Sequence, residues 1–274
     1  MRPPTPYFGS KASIAPWIVS LLPAHQHYVE PYAGGLSVLL AKTPSRMETV
    51  NDLDHELVTF WRVLRDRPDD LIRAAALTPH ARAELDATWD PTDDDLELAR
   101  RIWTRLTQGR SGTLRKTGWR HYIDPAGSAT SMPGYLDAYR DRLAAAAERL
   151  MAVSLECRPA LELIAAYGRR PGVLLYVDPP YLGSTRGFGK KNYRVEMQSD
   201  DQHRELAAAL WECTAPVVLS GYDSPLYDDL YDGWHRYTAA TWTGNARSDM
   251  ARTEVVWSNR ELAGQSELDL FPAA

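Results

Sequence analysis

At 274 residues the chain is long for one domain and short for two large ones, a length that suits one core with an inserted lobe. With 44% hydrophobic and 24% charged residues it has a globular composition, no apolar run approaches a membrane span, and the N-terminus lacks the apolar core of a signal peptide. The net charge of −5 argues against a nucleic-acid partner until its distribution is considered, and Cys157 and Cys213 form neither a disulfide framework nor a metal spacing, so a reducing cytoplasm is expected.

The first segment, Pro6-Tyr7-Phe8-Gly9-Ser10-Lys11, is a turn-prone loop. A helix should follow, with Ser13 as its cap, Pro16 in its first turn, and Ile14, Ile18, Leu21 and Leu22 on one face. The His25-Gln26-His27 pair has no partner cluster, and no metal site is expected. Tyr28-Val29-Glu30-Pro31-Tyr32-Ala33-Gly34-Gly35-Leu36-Ser37 then reads as strand, small-residue turn and the start of a helix. That is the first βα unit of a nucleotide-type fold, with glycines where backbone must approach a ligand. Thr49-Val50-Asn51-Asp52 ends a second short strand in an acid, and a carboxylate at that tip can accept both hydroxyls of a ribose. A helix over 55–66 follows, with Leu57, Val58, Trp61 and Leu64 on its apolar face.

From about 67 to 165 the strand signal fades. Amphipathic helices are expected at 69–77, 92–106 and 135–151, together a helical lobe inserted between the second and later strands. Residues 100–120 carry seven basic side chains (Arg100, Arg101, Arg105, Arg110, Arg115, Lys116, Arg120) and no acid, with Trp103 and Trp119 among them and Tyr122 adjacent. A charge run is usually a solvated face. In an acidic chain, a local basic block is instead the footprint expected of phosphate contacts, and that reading is preferred.

The sheet resumes through a helix over 159–167. Val173-Leu174-Leu175-Tyr176-Val177, after the Pro171-Gly172 breaker, reads as a buried parallel strand. At its carboxyl end stands Asp178-Pro179-Pro180-Tyr181. Two successive prolines remove two N–H donors, leaving a carboxylate, a bare carbonyl and an aromatic face together. Such an edge can hold a planar ring that carries an amino group, although a plain Pro-Pro turn with a surface tyrosine also fits. The glycine-rich stretch 183–194 carries Arg186, Lys190, Lys191 and Arg194 and is expected to clamp a phosphate backbone. Ser199 opens a helix with a capping box to Gln202. A buried strand at 217–220 and a hairpin of 234–243 with 254–258 complete the sheet.

Taken in order, Tyr7-Phe8-Gly9-Ser10-Lys11, Glu30-Pro31-Tyr32-Ala33-Gly34-Gly35, Asn51-Asp52-Leu53-Asp54, Asp178-Pro179-Pro180-Tyr181 and the closing Thr253-Glu254-Val255-Val256-Trp257-Ser258-Asn259 resemble the Dam-type (D12 class) DNA N6-adenine methyltransferases. The likeness spans almost the whole chain, is strongest to phage and prophage versions, and has the motif order of the α group. It implies an α/β, Rossmann-like sheet that uses S-adenosylmethionine. The catalytic domain would comprise 1–66 and 158–274, the recognition lobe 67–157, and a flexible tail 262–274.

The resemblance assigns Tyr7, Gly9, Lys11, Glu30, Pro31, Ala33, Gly34, Gly35, Asp52 and Asp178 to the cofactor. Asp178, Pro179, Pro180 and Tyr181 would form the catalytic motif, in which Asp178 and the Pro179 carbonyl accept the two N6 hydrogens and Tyr181 stacks on the base. The chemistry agrees, because two acceptors on the hydrogens favour a pyramidal nitrogen whose lone pair can attack a sulfonium methyl in line. The atom cannot be reached inside a duplex, so the base must flip out. DNA contacts are expected from Arg105, Arg110, Arg115, Lys116 and Arg120 with the four basic residues of 183–194.

Leu36 stands where the family usually carries a glycine, and Ser10 where a second glycine is common. The Asn-x-Pro-x-Gly segment of GATC-specific relatives is absent, so no recognition sequence is assigned. Gln265-Ser266-Glu267-Leu268-Asp269-Leu270-Phe271 resembles peptides that dock on the bacterial sliding clamp, or is a terminus with chance hydrophobics. Two alternatives stay open. One is an amino-methyltransferase acting on cytosine N4, RNA or a protein amide; the other is an inactive DNA-binding homologue.

Overall fold

In the computed structural model the apolar run Val173–Val177 is a strand buried along its whole length. Residues 1–121, 131–182, 197, 199–242, 251–262 and 267–268 are described. In chain order they form α1 (Ala15–Leu21), β1 (His27–Glu30), α2 (Ser37–Ala41), β2 (Met47–Asn51), α3 (His55–Asp66), α4 (Pro68–Leu77), α5 (Arg82–Ala87) and α6 (Asp95–Gln108). There follow α7 (Met132–Arg140), α8 (Leu143–Leu150), β3 (Val153–Glu156), α9 (Ala160–Tyr167), β4 (Val173–Val177) and α10 (Asp200–Trp211). The last elements are β5 (Val217–Tyr222), α11 (Pro225–Leu230), β6 (His235–Trp242), β7 (Ala251–Ser258) and β8 (Glu267–Leu268).

The strands lie in one sheet in the order β3-β2-β1-β4-β5-β7-β6-β8. The pairs from β3 through β5 are parallel, while β7 runs antiparallel to both β5 and β6. The strand order reverses between β1 and β4, and open α/β sheets bind ligands beyond the strand tips at such a switch. Alternate residues of β4 serve opposite faces. Leu174 and Tyr176 pack with Ile18, Leu39, Leu57, Trp103 and Leu150 on one side. Val173, Leu175 and Val177 pack with Leu163, Leu206 and Tyr227 on the other. A strand covered on both faces needs the continuous apolar run that the sequence shows, and each such side chain contributes about 1.5–3 kcal/mol through burial.

Three expectations change. Ser13 caps nothing: α1 begins at Ala15 with no side-chain cap. The single helix expected over 135–151 is broken between α7 and α8, where Arg142 bonds the Pro3 carbonyl at 3.2 Å and its guanidinium lies 4.9 Å over the Tyr139 ring. Val153–Glu156, placed in the lobe by sequence, pairs with β2 as the outermost strand on that side of the sheet. The Ser199 capping box is present, with Gln202 answering Ser199 in both directions.

Among the described residues, no helix is long and apolar enough to cross a membrane and no His/Cys/Asp/Glu group could hold a metal. Of the clamp-like tail only Glu267 and Leu268 are described, and they pair in parallel with Thr238 and Ala239 of β6. Arg186, Lys190, Lys191 and Arg194 lie outside the described residues.

Candidate active site

The tips of β1, β2 and β4 surround a cavity of about 260 Å³ whose walls include Tyr7, Lys11, Glu30, Gly34, Asp52, Leu161 and Asp178. Its floor is set by the turn after β1. Gly34 has φ +47°, and a Cβ on Gly34 or on Gly35 would come within 2.9 Å of the Tyr7 side chain. Both positions must therefore be glycine for Tyr7 to lie on the turn. Leu36, next along, has φ +55° and is fully buried. The glycine usual there has a conformational reason, and here buried leucine holds the same left-handed turn against about 1 kcal/mol of strain.

The Gly34 amide donates to Asp52 Oδ2 and the Asp54 amide to Asp52 Oδ1, both at 2.9 Å. Asp54 in turn caps α3. Asp52, crowded yet open to the cavity on one side, is pushed up to about 6 by desolvation against the pull of its amide donors. Two supports escaped the sequence reading. Asn51 Nδ2 donates to the Pro31 and Arg158 carbonyls at 2.9 and 3.0 Å, tying the tips of β1 and β2 to the chain after β3, and Trp61 Nε1 holds the Gly34 carbonyl at 3.1 Å. Glu30, whose Oε2 accepts from Tyr28 at 2.8 Å, is pushed up to about 8 by burial and, less, by Asp178. It is therefore mostly neutral at pH 7.

At the other end of the cavity Asp178 Oδ1 meets Lys11 Nζ at 2.9 Å and accepts from Ser220 Oγ at 2.9 Å. Pro180 lines the cavity and Pro179 is buried behind it. Tyr181 is buried, donating its hydroxyl to Glu254, with the Lys11 ammonium 4.5 Å above its ring and Tyr222 edge-on at 4.5 Å. Ser220 and Glu254 belong to strands paired across β5 and β7, a register that local sequence does not disclose.

The basic run divides. Arg100 is paired with Glu97 and Glu84, and Arg101 with Glu97. Arg105, expected to contact DNA, is buried instead: it bonds Glu56 at 2.8 Å, donates to the Thr88 carbonyl, and lies 4.3 Å over the Trp89 ring. Its position on α6 explains this, because Ile102 and Leu106 of the same helix are buried as well. After α6 the chain doubles back through a bridge between Gly109 and Trp119, with Arg110 N bonded to the Gly118 carbonyl at 3.0 Å and Arg120 N to that of Gln108 at 2.7 Å. Arg110 and Lys116 are exposed on this hairpin, Arg115 is half-buried, and the Arg120 guanidinium lies 5.0 Å over Tyr135. The hairpin touches the cavity wall. Gly112, at φ +60°, accepts from the Phe8 amide at 2.8 Å, and a Cβ there would meet the Pro6 and Tyr7 backbone at 3.2–3.3 Å.

A doubly wound sheet closed by an antiparallel β7 between β5 and β6, with an acid at the tip of β2 and Asp-Pro-Pro-Tyr at the tip of β4, defines a Rossmann-like methyltransferase. The family model described as "D12 class N6 adenine-specific DNA methyltransferase" matches residues 7–244. The chain belongs to that family and is an adenine-specific DNA methyltransferase. It is 26% identical to the type II methyltransferase M1.LlaDCHI of Lactococcus lactis subsp. cremoris over 277 residues, 94% of this chain and 95% of that one. It is 24% identical to the retron Ec67 DNA adenine methylase of Escherichia coli over 245 residues, 85% of this chain and 81% of that one. Among solved structures, a putative methyltransferase, yhhF, from Escherichia coli overlaps 90% of this chain and 80% of its own, with a TM-score of 0.32 and 12% identity.

Proposed function

We propose that the chain transfers the methyl group of S-adenosylmethionine to N6 of an adenine turned out of duplex DNA, with Asp178 and the Pro179 carbonyl as acceptors of the amine hydrogens. One observation carries this reading: Asp178 and Asp52 line the same cavity, together with the glycine turn and Tyr7. The residues present fit the cofactor. Asp52 is a ribose acceptor, Gly34 and Gly35 let the Tyr7 ring and a ligand approach the backbone, and Glu30 is an acid facing the cavity that suits an α-ammonium. S-adenosylmethionine held there would supply an electrophilic methyl on a sulfonium. The rest falls to the protein. Gly9, Pro31 and Ala33 shape the wall, Asp178 orients the amine, and Tyr181 offers an aromatic face to the base once its cover of Lys11 and Tyr222 adjusts.

Arg110, Arg115, Lys116 and Arg120 would contact phosphates, with Arg186, Lys190, Lys191 and Arg194 assigned the same role on sequence alone. Replacing Arg110 and Lys116 together by alanine should weaken DNA binding at all sequences alike and reduce the salt slope by about two, one for each phosphate contact. Fluorescence anisotropy across a salt series reads this directly. An unchanged slope would remove the hairpin from the phosphate path.

Glu30 gives cofactor binding a pH dependence of predictable sign. Burial holds its carboxyl up at about 8, so below that pH a cationic ligand must first drive off its proton. Affinity for S-adenosylmethionine should therefore rise with pH by at most about tenfold per unit between pH 6.5 and 7.5, levelling near 8. Calorimetry in buffers of different ionisation enthalpy should also show proton release. Glu30→Gln should bind more weakly and lose the slope; an unaltered slope would place the α-ammonium elsewhere.

The whole reading is tested by expressing the protein in a methylation-deficient bacterium and sequencing its DNA with a modification-sensitive method. N6-methyladenine at one short motif, absent with Asp178→Ala, is the expected result. Unmodified DNA, despite protein that binds S-adenosylmethionine, would turn the reading towards RNA or protein amides.

A further inference from the structure

Lys11, Asp178, Tyr181 and Glu254 form a ring of contacts around the acceptor end of the cavity. The Lys11 ammonium lies 2.9 Å from Asp178 Oδ1 and 3.7 Å from Glu254 Oε1, and the Tyr181 hydroxyl closes the ring onto Glu254. Lys11 and Glu254 are 6% and 3% exposed, so water does little to screen either charge. We propose that Glu254 is a positioning residue for methyl transfer: it anchors Tyr181 by the hydroxyl and takes over the Lys11 ammonium when the target amine engages Asp178. This inference rests on the assignment of Asp178 as the amine acceptor.

The argument is one of lone pairs and charge. Asp178 Oδ1 already serves two donors, Lys11 Nζ and Ser220 Oγ. An incoming N–H must use the other oxygen or displace one of them. As the N–C bond forms, the nitrogen becomes positive, and a fixed ammonium beside its acceptor opposes that charge. A second carboxylate within reach of the ammonium removes the conflict. If Glu254 only satisfied a buried tyrosine hydroxyl, a neutral acceptor would serve as well, so glutamine separates the two roles.

The titration follows from the same geometry. Lys11 approaches Glu254 from the N-terminal loop, Asp178 and Tyr176 from β4, Tyr181 from the chain beyond it, and Tyr222 is the residue paired with it from β5. Burial pushes the Glu254 carboxyl up to about 7, Lys11 lowering it and Asp178 raising it. Below that pH it is neutral and holds the ammonium less well.

The test is single-turnover methyl transfer between pH 6 and 8, with saturating S-adenosylmethionine and a duplex carrying the methylated motif. The wild type should lose rate below about pH 7. Glu254→Gln should be about 10- to 100-fold slower at pH 8, with cofactor affinity within about twofold of wild type and that acidic limb gone. Glu254→Asp should recover part of the rate and keep a limb. Should Glu254→Gln fail to fold, Lys11→Met reads the pH profile instead: without the ammonium the ionisation of Glu254 no longer matters, so the acidic limb should disappear at saturating cofactor. Glutamine at the wild-type rate, or a limb unchanged in these variants, overturns the inference and leaves Asp178 as acceptor. A wild type that methylates no adenine overturns the underlying assignment itself.

Discussion

Asp178→Ala should lower the single-turnover rate about a thousandfold or more while changing the affinity for S-adenosylmethionine less than about threefold. Two losses combine. The amine forfeits an acceptor that favours its pyramidal form, and removing a group aimed at developing charge typically costs about 3–4 kcal/mol of barrier. The alanine also leaves the Lys11 ammonium without its 2.9 Å partner, close to a nitrogen that must become positive. Cofactor binding should survive because the Asp52 end and the Tyr7–Gly34 floor are untouched. Asp178→Asn keeps a carbonyl acceptor and nearly the same shape, so it should fall between the two, with Lys11 keeping its bond to the Gly9 carbonyl and its carboxylate neighbour Glu254. Equilibrium binding and rapid-quench turnover on the same preparations separate the effects. Turnover within tenfold of wild type in the alanine variant would remove Asp178 from the role of acceptor.

Legibility of the fold followed the range of the forces involved. β4 announced itself because burial on both faces requires an unbroken apolar run. The Ser199 capping box was visible because its two hydrogen bonds span only three residues. α6 was expected at 92–106 and runs Asp95–Gln108, shifted because Asp94, not an earlier residue, accepts from the Leu96 and Glu97 amides. β3 was missed because an edge strand of four residues, one of them buried, carries almost no pattern. The break before α8 was missed because no proline or glycine marks it; Arg142 is held by the distant Pro3 carbonyl.

The candidate site divides in the same way. Its loop residues were readable as motifs, since each strand tip supplies its own group. Glu254 and Ser220 were not readable as parts of it. In Thr253-Glu254-Val255-Val256 the acid looks like an outward position on a hairpin strand. Only the pairing of Glu254 with Tyr222 across β5 and β7 brings it to Tyr181 and Lys11. Arg105 was misread although the signal was present, since Ile102 and Leu106 flank it on the buried side of α6. Charge counting overrode periodicity there.

Arg105→Ala should therefore destabilise the protein by about 2–4 kcal/mol without altering the salt dependence of DNA binding. The side chain ties α6 to the first turn of α3 through Glu56, and to the turn after α5 through the Thr88 carbonyl and the Trp89 ring. Truncation opens space in this packing and leaves a carbonyl and a carboxylate short of a partner. Glu56 is 27% exposed, so water can recover part of that loss, which keeps the expected cost below that of a fully buried pair. The neighbouring Arg62–Asp95 pair, exposed on both sides, cannot substitute for it. For a chain of 274 residues the melting temperature should drop by about 4–7 °C. Lys116→Ala should do the reverse, leaving the melting temperature unchanged while lowering the salt slope by about one. If Arg105→Ala melted like the wild type and its salt slope fell by one, Arg105 would be a phosphate contact, and the packing of α6 on α3 would have to open when DNA binds.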